Sequence, residues 1–197
     1  MNPDQLIQAF GLMGIIITLF AESGTFLGFI LPGDSLLFIA GILASQGDLP
    51  LLPLLIFGSI AAILGDQAGY WFGRKVGPAL FRQEESFLFH KDRLEQARIF
   101  YDKYGILTII LARFVAYART FAPMLAGVGK MNYRTFTLFN IIGGILWVCS
   151  ITLVGYWLGH LFPDIGDYVF ELIVVVIAFS ILPAIVEAIR RTIKGRR

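Results

Sequence analysis

The sequence predicts an all-α polytopic membrane protein, an inverted repeat with two opposed re-entrant hairpins plus transmembrane helices. Three observations carry the prediction. Of 197 residues, 57% are hydrophobic and 15% charged, with a mean hydropathy of +0.75. A small soluble domain keeps too much surface wet to hide that apolar area, so lipid must be part of the solvent. All 16 Lys and Arg lie at or beyond Arg74, whereas the stretch before it carries only the carboxylates Asp4, Glu22, Asp34, Asp48 and Asp66. Finally, Gly69-Tyr70-Trp71-Phe72-Gly73 and Gly155-Tyr156-Trp157-Leu158-Gly159 are nearly the same pentapeptide, each closing an apolar run that follows a broken one. Taken singly, either copy reads as an interfacial aromatic with a glycine packing face. A single membrane domain over 1–197 follows, with repeat one over about 5–73 and repeat two over about 105–162.

The N-terminal apolar run, 5–21, either crosses the bilayer or lies along its outer interface, since no basic residue orients it. It lacks a basic leader and runs into Glu22 rather than a small-residue cleavage site, so no cleavable signal peptide is expected. The segment 22–46 holds Leu31-Pro32-Gly33-Asp34 in its middle. Each half is about 12 residues, or about 18 Å as a helix, which reaches the midplane of a bilayer core. That is a re-entrant hairpin with Pro32 and Gly33 as breakers, tolerable only where protein or a wet cavity covers the broken backbone. A span over 49–73 follows, closed by Arg74 and Lys75.

Between Arg74 and Lys103 the chain turns polar, with seven basic and five acidic side chains. Leu94, Ala97, Tyr101 and Tyr104 fall at helical spacing, which predicts an amphipathic helix over about 82–103 on the cytoplasmic surface; a solvated loop is the plainer reading. The segment 105–130 is a second broken apolar stretch, carrying Arg113, Arg119 and Pro123, the last expected to be its main breaker. A span over 135–162 and a last span over 168–189 follow, ending in a basic tail over 190–197. By the positive-inside rule the C-terminus is cytoplasmic. This topology sends the hairpins in from opposite sides. Glu22 precedes Pro32 by ten residues, as Arg113 precedes Pro123, which is the second sign of an inverted repeat.

The run Phe29-Ile30-Leu31-Pro32-Gly33-Asp34-Ser35-Leu36-Leu37 resembles the DedA family of bacterial inner-membrane proteins, whose fold (the VTT domain) includes eukaryotic lipid scramblases of autophagy. The resemblance continues through Gly65-Asp66 with Gly69-Tyr70, Arg113-Phe114 to Arg119-Thr120, Pro123, Ala126-Gly127 and Met131. Ala116 stands where many members place a proline. The resemblance implies a flippase that returns the lipid carrier undecaprenyl phosphate to the cytoplasmic leaflet, with proton-coupled transport.

Each ionised side chain at a bilayer centre costs roughly 2.5 to 3.5 kcal/mol unless compensated, so Glu22, Asp34, Arg113 and Arg119 must find partners or water. Opposed hairpins bring two carboxylates toward two guanidiniums. A guanidinium fork matches a phosphate and stays charged, which makes Arg113 and Arg119 the expected headgroup ligands. Glu22 and Asp34, with Asp66 as a weaker candidate, are the expected proton-coupling groups. Blander readings stay open: Asp34 as a helix cap, Glu22 solvated at the interface, either Arg snorkelling to the surface, Asp66 in a structural hydrogen bond. Gly24, Gly28, Gly41, Gly143 and Gly144 offer small surfaces for a lipid tail or for close helix packing.

The expected partners are a lipid phosphate, the membrane and protons, with no nucleic acid. No cofactor and no metal are expected, since Cys149 is the lone cysteine and His90 and His160 read as interfacial residues. An intramembrane lipid phosphatase lacks a GxSxG elbow, a buried His paired with Ser or Asp, or a metal cluster, so no enzyme is expected. A non-coupled phospholipid scramblase and a proton or cation antiporter are the alternatives that the same residues allow.

Overall fold

The computed structural model describes residues 3–24, 33–80, 109–114, 116–162 and 164. They form five helices, α1 (Pro3–Gly24), α2 (Gly33–Gln46), α3 (Leu51–Leu80), α4 (Ala116–Val128) and α5 (Tyr133–Leu161), with a helical turn over 109–112 and no strand among them. Pro32, the amphipathic helix expected over 82–103 with His90, the last span over 168–189 and the tail over 190–197 lie outside the described residues.

The molecule is apolar on the outside. Phe10, Met13, Ile17 and Phe20 stand exposed at helical spacing along α1, as do Leu52, Ile56, Ile60 and Leu64 along α3 and Leu138, Ile142, Ile145, Leu153 and Trp157 along α5. Leu51–Val76 and Tyr133–Leu161 are long and apolar enough to cross a membrane. Meanwhile Glu22, Asp66, Arg113 and Arg119 are buried. Such an inversion is stable only where hydrocarbon, not water, surrounds the fold.

Helix ends are set locally. The Asn132 side chain accepts from Arg134 N at 2.9 Å and Thr135 N at 3.4 Å, which starts α5. After α2, Gly47 N bonds Ala44 O at 3.3 Å and Asp48 N bonds Leu43 O at 3.0 Å, with Gly47 at φ +88°. This Schellman closure needs a left-handed residue, and glycine is the inexpensive choice. The same closure ends α4, through Lys130 N to Gly127 O at 3.1 Å and Met131 N to Ala126 O at 3.0 Å. There the left-handed residue is Lys130, at φ +54°, which costs about 1 kcal/mol relative to glycine.

Glycines bring the helices together. A Cβ on Gly41 of α2 would strike the Thr152 carbonyl and lie 2.8 Å from Tyr156 N on α5. A Cβ on Gly127 of α4 would strike the Tyr70 carbonyl and lie 2.9 Å from Arg74 N on α3. Conversely, Gly155 of α5 is closed by the Phe38 carbonyl, and Gly73 of α3 by that of Met124. The two crossings repeat atom for atom: α2 runs in the direction of α5, and α4 in the direction of α3. α1 also runs with α3, since Gly11 faces Leu49 and Gly58 faces Leu19.

Within the crossings Gly155 matches Gly73, and Gly69, one turn earlier on α3, packs against Pro123. Two sequence expectations are corrected. Glu22 does not open a hairpin arm at its mouth: it lies near the end of α1, buried, because the apolar run over 5–21 continues through it as one helix. Secondly, Pro123 does not break its segment. It lies inside α4, where the helix forgoes one hydrogen bond to the Arg119 carbonyl and seats the ring against Gly69, whose Cβ would lie 3.5 Å away. The break falls earlier, where Arg113 N bonds Ile110 O at 3.3 Å and Phe114 N bonds Leu111 O at 3.1 Å, two tight three-residue closures.

Candidate functional site

Two layers of buried charge lie one above the other along α5. The first centres on Arg113, in the turn before α4. Its Nη2 donates to both Asp66 Oδ2 of α3 and Asn140 Oδ1 of α5. Asn140 is held in turn by its own Nδ2, which donates to the Ile63 carbonyl at 3.0 Å. The Arg113 side chain lies across Gly143 and Gly144, where a Cβ would sit 3.1 Å from Cδ and 3.4 Å from Cζ. These two glycines therefore make room for a guanidinium. Side-chain exposure of Arg113 and Asp66 is 2% and 3%, so this layer is sealed.

The second layer centres on Arg119, about one turn into α4. Nη2 donates to Glu22 Oε1 and Nη1 to Asp34 Oδ1 at 2.7 Å. The indole of Trp147, midway along α5, donates from Nε1 to the same Asp34 oxygen at 2.7 Å. Its ring lies under the Arg119 guanidinium, 4.5 Å from Cζ to centroid, a cation–π contact strengthened by desolvation. Glu22 also presses on Gly33, the first residue of α2, where any Cβ would collide with its carboxylate. Both acids thus stand at the N-terminal end of α2, where the helix dipole favours negative charge. Asp34 lies within the first turn of α2 and spends its side chain on Arg119 and Trp147 rather than on a capping bond. Arg119 and Glu22 are sealed at 4% and 1%, but the Asp34 side chain is 49% exposed. The second layer therefore has an open edge.

The site is incompletely satisfied. Glu22 Oε2, Asp66 Oδ1, Arg113 Nε and Nη1, and Arg119 Nε are buried without a partner among the described residues. Each such group is expensive in a low-dielectric interior, so the site has hydrogen-bonding capacity to offer an anion or water. Neither Arg snorkels, and Glu22 is not solvated. Among the described residues no three His, Cys, Asp or Glu side chains stand together as a metal would require.

Every charged residue singled out in the hairpin segments, with Asp66, enters one of the two layers. Sequence reasoning missed Asn140 and Trp147. Signals existed: Asn140 is the one amide in the uncharged run of α5, and Trp147 is a mid-span tryptophan, when tryptophans favour the interface.

Comparison with known proteins places this arrangement in a family. The VTT domain family matches residues 31–163, which contain both arginines, Asp34 and Asp66. Protein DedA of Escherichia coli K12 is 46% identical over 178 residues, covering 89% of this chain and 81% of that protein. An uncharacterized membrane protein of Mycobacterium tuberculosis H37Rv is 45% identical over 182 residues, covering 91% and 79%. The inner membrane protein YghB of E. coli K12 is 36% identical over 139 residues, covering 71% and 64%. No solved structure matches the chain. The chain therefore belongs to the VTT domain, or DedA, family of membrane proteins.

Proposed function

We propose that the chain is a transporter that carries a lipid phosphate across the bacterial inner membrane, coupled to protons, with undecaprenyl phosphate as the substrate that the family resemblance implies. The observation that carries this is the Arg119 layer: a buried guanidinium held by two carboxylates, with polar atoms that lack a partner among the described residues and an open edge at Asp34.

Charge balance supplies the mechanism. Glu22, Asp34 and Asp66 face Arg113 and Arg119, so the ionised cluster carries one uncompensated negative charge. A phosphate entering at the Asp34 edge takes over the Arg119 fork. Glu22 and Asp34 then lose their counter-charge; the sealed Glu22 is tolerated there only as the neutral acid, and Asp34, at the open edge, is its path for proton exchange. Lipid entry thus draws protons in with it, and proton loss on the other side restores the Arg119 pairs and expels the headgroup. Arg113, sealed against Asp66 and Asn140, adds its positive charge beneath the seated headgroup while keeping its own partners. No covalent chemistry is required, and the protein is read as a carrier, not an enzyme.

The inverted repeat is read on the paired glycine crossings, whose repetition with opposite helix directions is what a two-fold axis in the membrane plane generates. On this reading α1 with α2, and the turn at Arg113 with α4, are the two re-entrant hairpins, and the basic C-terminal tail is cytoplasmic.

The test is reconstitution of the full chain in liposomes with labelled undecaprenyl phosphate, with and without an imposed pH gradient. Gradient-driven movement is expected. Movement of bulk phospholipid at the same rate, indifferent to the gradient, would make the protein a scramblase. Gradient-driven cation flux without lipid movement would make it an antiporter.

A further inference from the structure

Away from the buried layers, the groove of about 570 Å³ where the second half of α3 meets the α4–α5 turn gathers Arg74, Lys130 and Arg134 around Trp71, Met131 and Tyr133. Among the described residues no carboxylate pairs with any of the three cations. Arg74 is aimed and held: Nη1 donates to Tyr70 Oη at 2.6 Å, and that hydroxyl donates to the Met131 carbonyl at 2.6 Å. The other two stand against local preference. Lys130 occupies the left-handed position that Gly47 fills at the corresponding helix end. Arg134 lies in the first turn of α5, where the helix dipole repels a cation. Three like charges, two of them adversely placed, share one groove.

An anion in that groove compensates all of these features at once. The aromatic walls identify the depth. Trp71 and Tyr133 are part exposed and packed 5.3 Å apart at 49°, and such side chains beside Arg and Lys at a span's end mark the bilayer–water boundary. We propose that the groove is a binding site for the phosphate of an anionic membrane lipid, with Arg74, Lys130 and Arg134 on the headgroup and Trp71 and Tyr133 against the start of the acyl chains. This site does not depend on the transport reading, because a lipid held at the boundary need not cross.

The test uses the full chain with Trp157→Phe, so that Trp71 is the exposed indole while Trp147 stays shielded at 0% exposure. The protein is placed in phosphatidylcholine vesicles with phosphatidic acid or phosphatidylcholine brominated near the headgroup. Quenching should favour brominated phosphatidic acid, and Arg134→Gln should lower that preference by about tenfold or more, the loss of a direct hydrogen bond between charged groups. Lys75→Gln, which removes the same charge outside the groove, should leave the preference in place. Equal quenching by the two lipids overturns the proposal, as does equal loss in Arg134→Gln and Lys75→Gln, which would mean general surface attraction. Inorganic phosphate abolishing the preference, where chloride at equal ionic strength does not, would put a free phosphate in the groove and also overturn it.

Discussion

The sealed layer can be tested by stability alone, before any transport is measured. Arg113 Nη2 is shared by Asp66 and Asn140, and both charged side chains are almost wholly inaccessible. Arg113→Met keeps the stem that packs on Gly143 and Gly144 but strands the Asp66 carboxylate, while Asp66→Asn leaves the guanidinium with neutral amide oxygens only. Breaking a buried pair from either side typically costs about 3 to 5 kcal/mol, most of it the uncompensated charge left behind. In a bilayer the unfolded helices also find partners, which moderates such values, so about 3 kcal/mol for each single variant is expected. The double variant Arg113→Met with Asp66→Asn leaves no stranded charge. It should cost no more than the worse single, giving a coupling energy of about 3 kcal/mol. The assay is reversible unfolding of the purified protein in mixed micelles, followed by tryptophan fluorescence for all four proteins. A coupling below about 0.5 kcal/mol, with the singles simply adding, would refute the argument that these groups form one desolvated unit.

Trp147→Phe should destabilise by about 1 to 2 kcal/mol, chiefly through the lost bond to a carboxylate, and should slow lipid movement more than Trp157→Phe, a comparison made in the same liposome assay. Gly155→Val and Gly73→Val each drive a side chain into the opposing backbone, so both should lower the melting temperature of purified protein by an amount matching about 2 to 3 kcal/mol or more. The same change at Gly14, which has open space around it, should be nearly silent. Glu22→Gln and Asp34→Asn should still bind undecaprenyl phosphate but lose the response to an imposed pH gradient. Normal gradient dependence in both variants would remove them from the coupling step. Arg119→Lys should lose most transport while remaining folded, because an ammonium cannot bridge Glu22 and Asp34 as the planar fork does; near-normal transport with a melting temperature unchanged would count against Arg119 as a headgroup ligand.

Much of the site was legible because charge in an apolar run is costly and must be answered. Glu22, Asp34, Arg113 and Arg119 announced themselves by composition alone, and so did Asp66. Which carboxylate meets which arginine was not legible. That pairing depends on where each helix stops and crosses its neighbour, and small residues decide the crossing. Glycine at Gly69 and at Gly73 reads alike in sequence, and only packing gives each its partner, Pro123 for the first and the Met124 carbonyl for the second. Pro123 misled for a related reason. In water a mid-helix proline is a break, but in a membrane fold a neighbouring glycine gives its ring a seat and the helix continues. Asn140 and Trp147 went unassigned because neither is charged, and periodicity carries no information about a single hydrogen bond.

The two layers differ in a way that assigns them different duties. Around Arg113 the partners come from α3 and α5, the two long helices, and the amide of Asn140 is itself locked to the Ile63 carbonyl. Releasing that guanidinium means disturbing the helices that span the bilayer. Around Arg119 the charged partners come from the end of α1 and the first turn of α2, with α5 supplying only the Trp147 ring, and one of those carboxylates reaches an open edge. Exchange of partners is therefore easier at Arg119 than at Arg113. Because α4 carries Arg119 and begins just after the turn that Arg113 anchors, under the proposed function a phosphate drawn to Arg119 pulls on a helix whose other end is pinned. Any movement that admits the headgroup then has to occur by displacing α1 and α2 from α4, with the α3–α5 frame left standing. Cross-linking α1 to α3 through cysteines at Leu19 and Gly58, which face each other, should accordingly arrest transport while sparing lipid binding at the open edge. Full transport in the cross-linked protein would mean that the frame, not α1, is what moves.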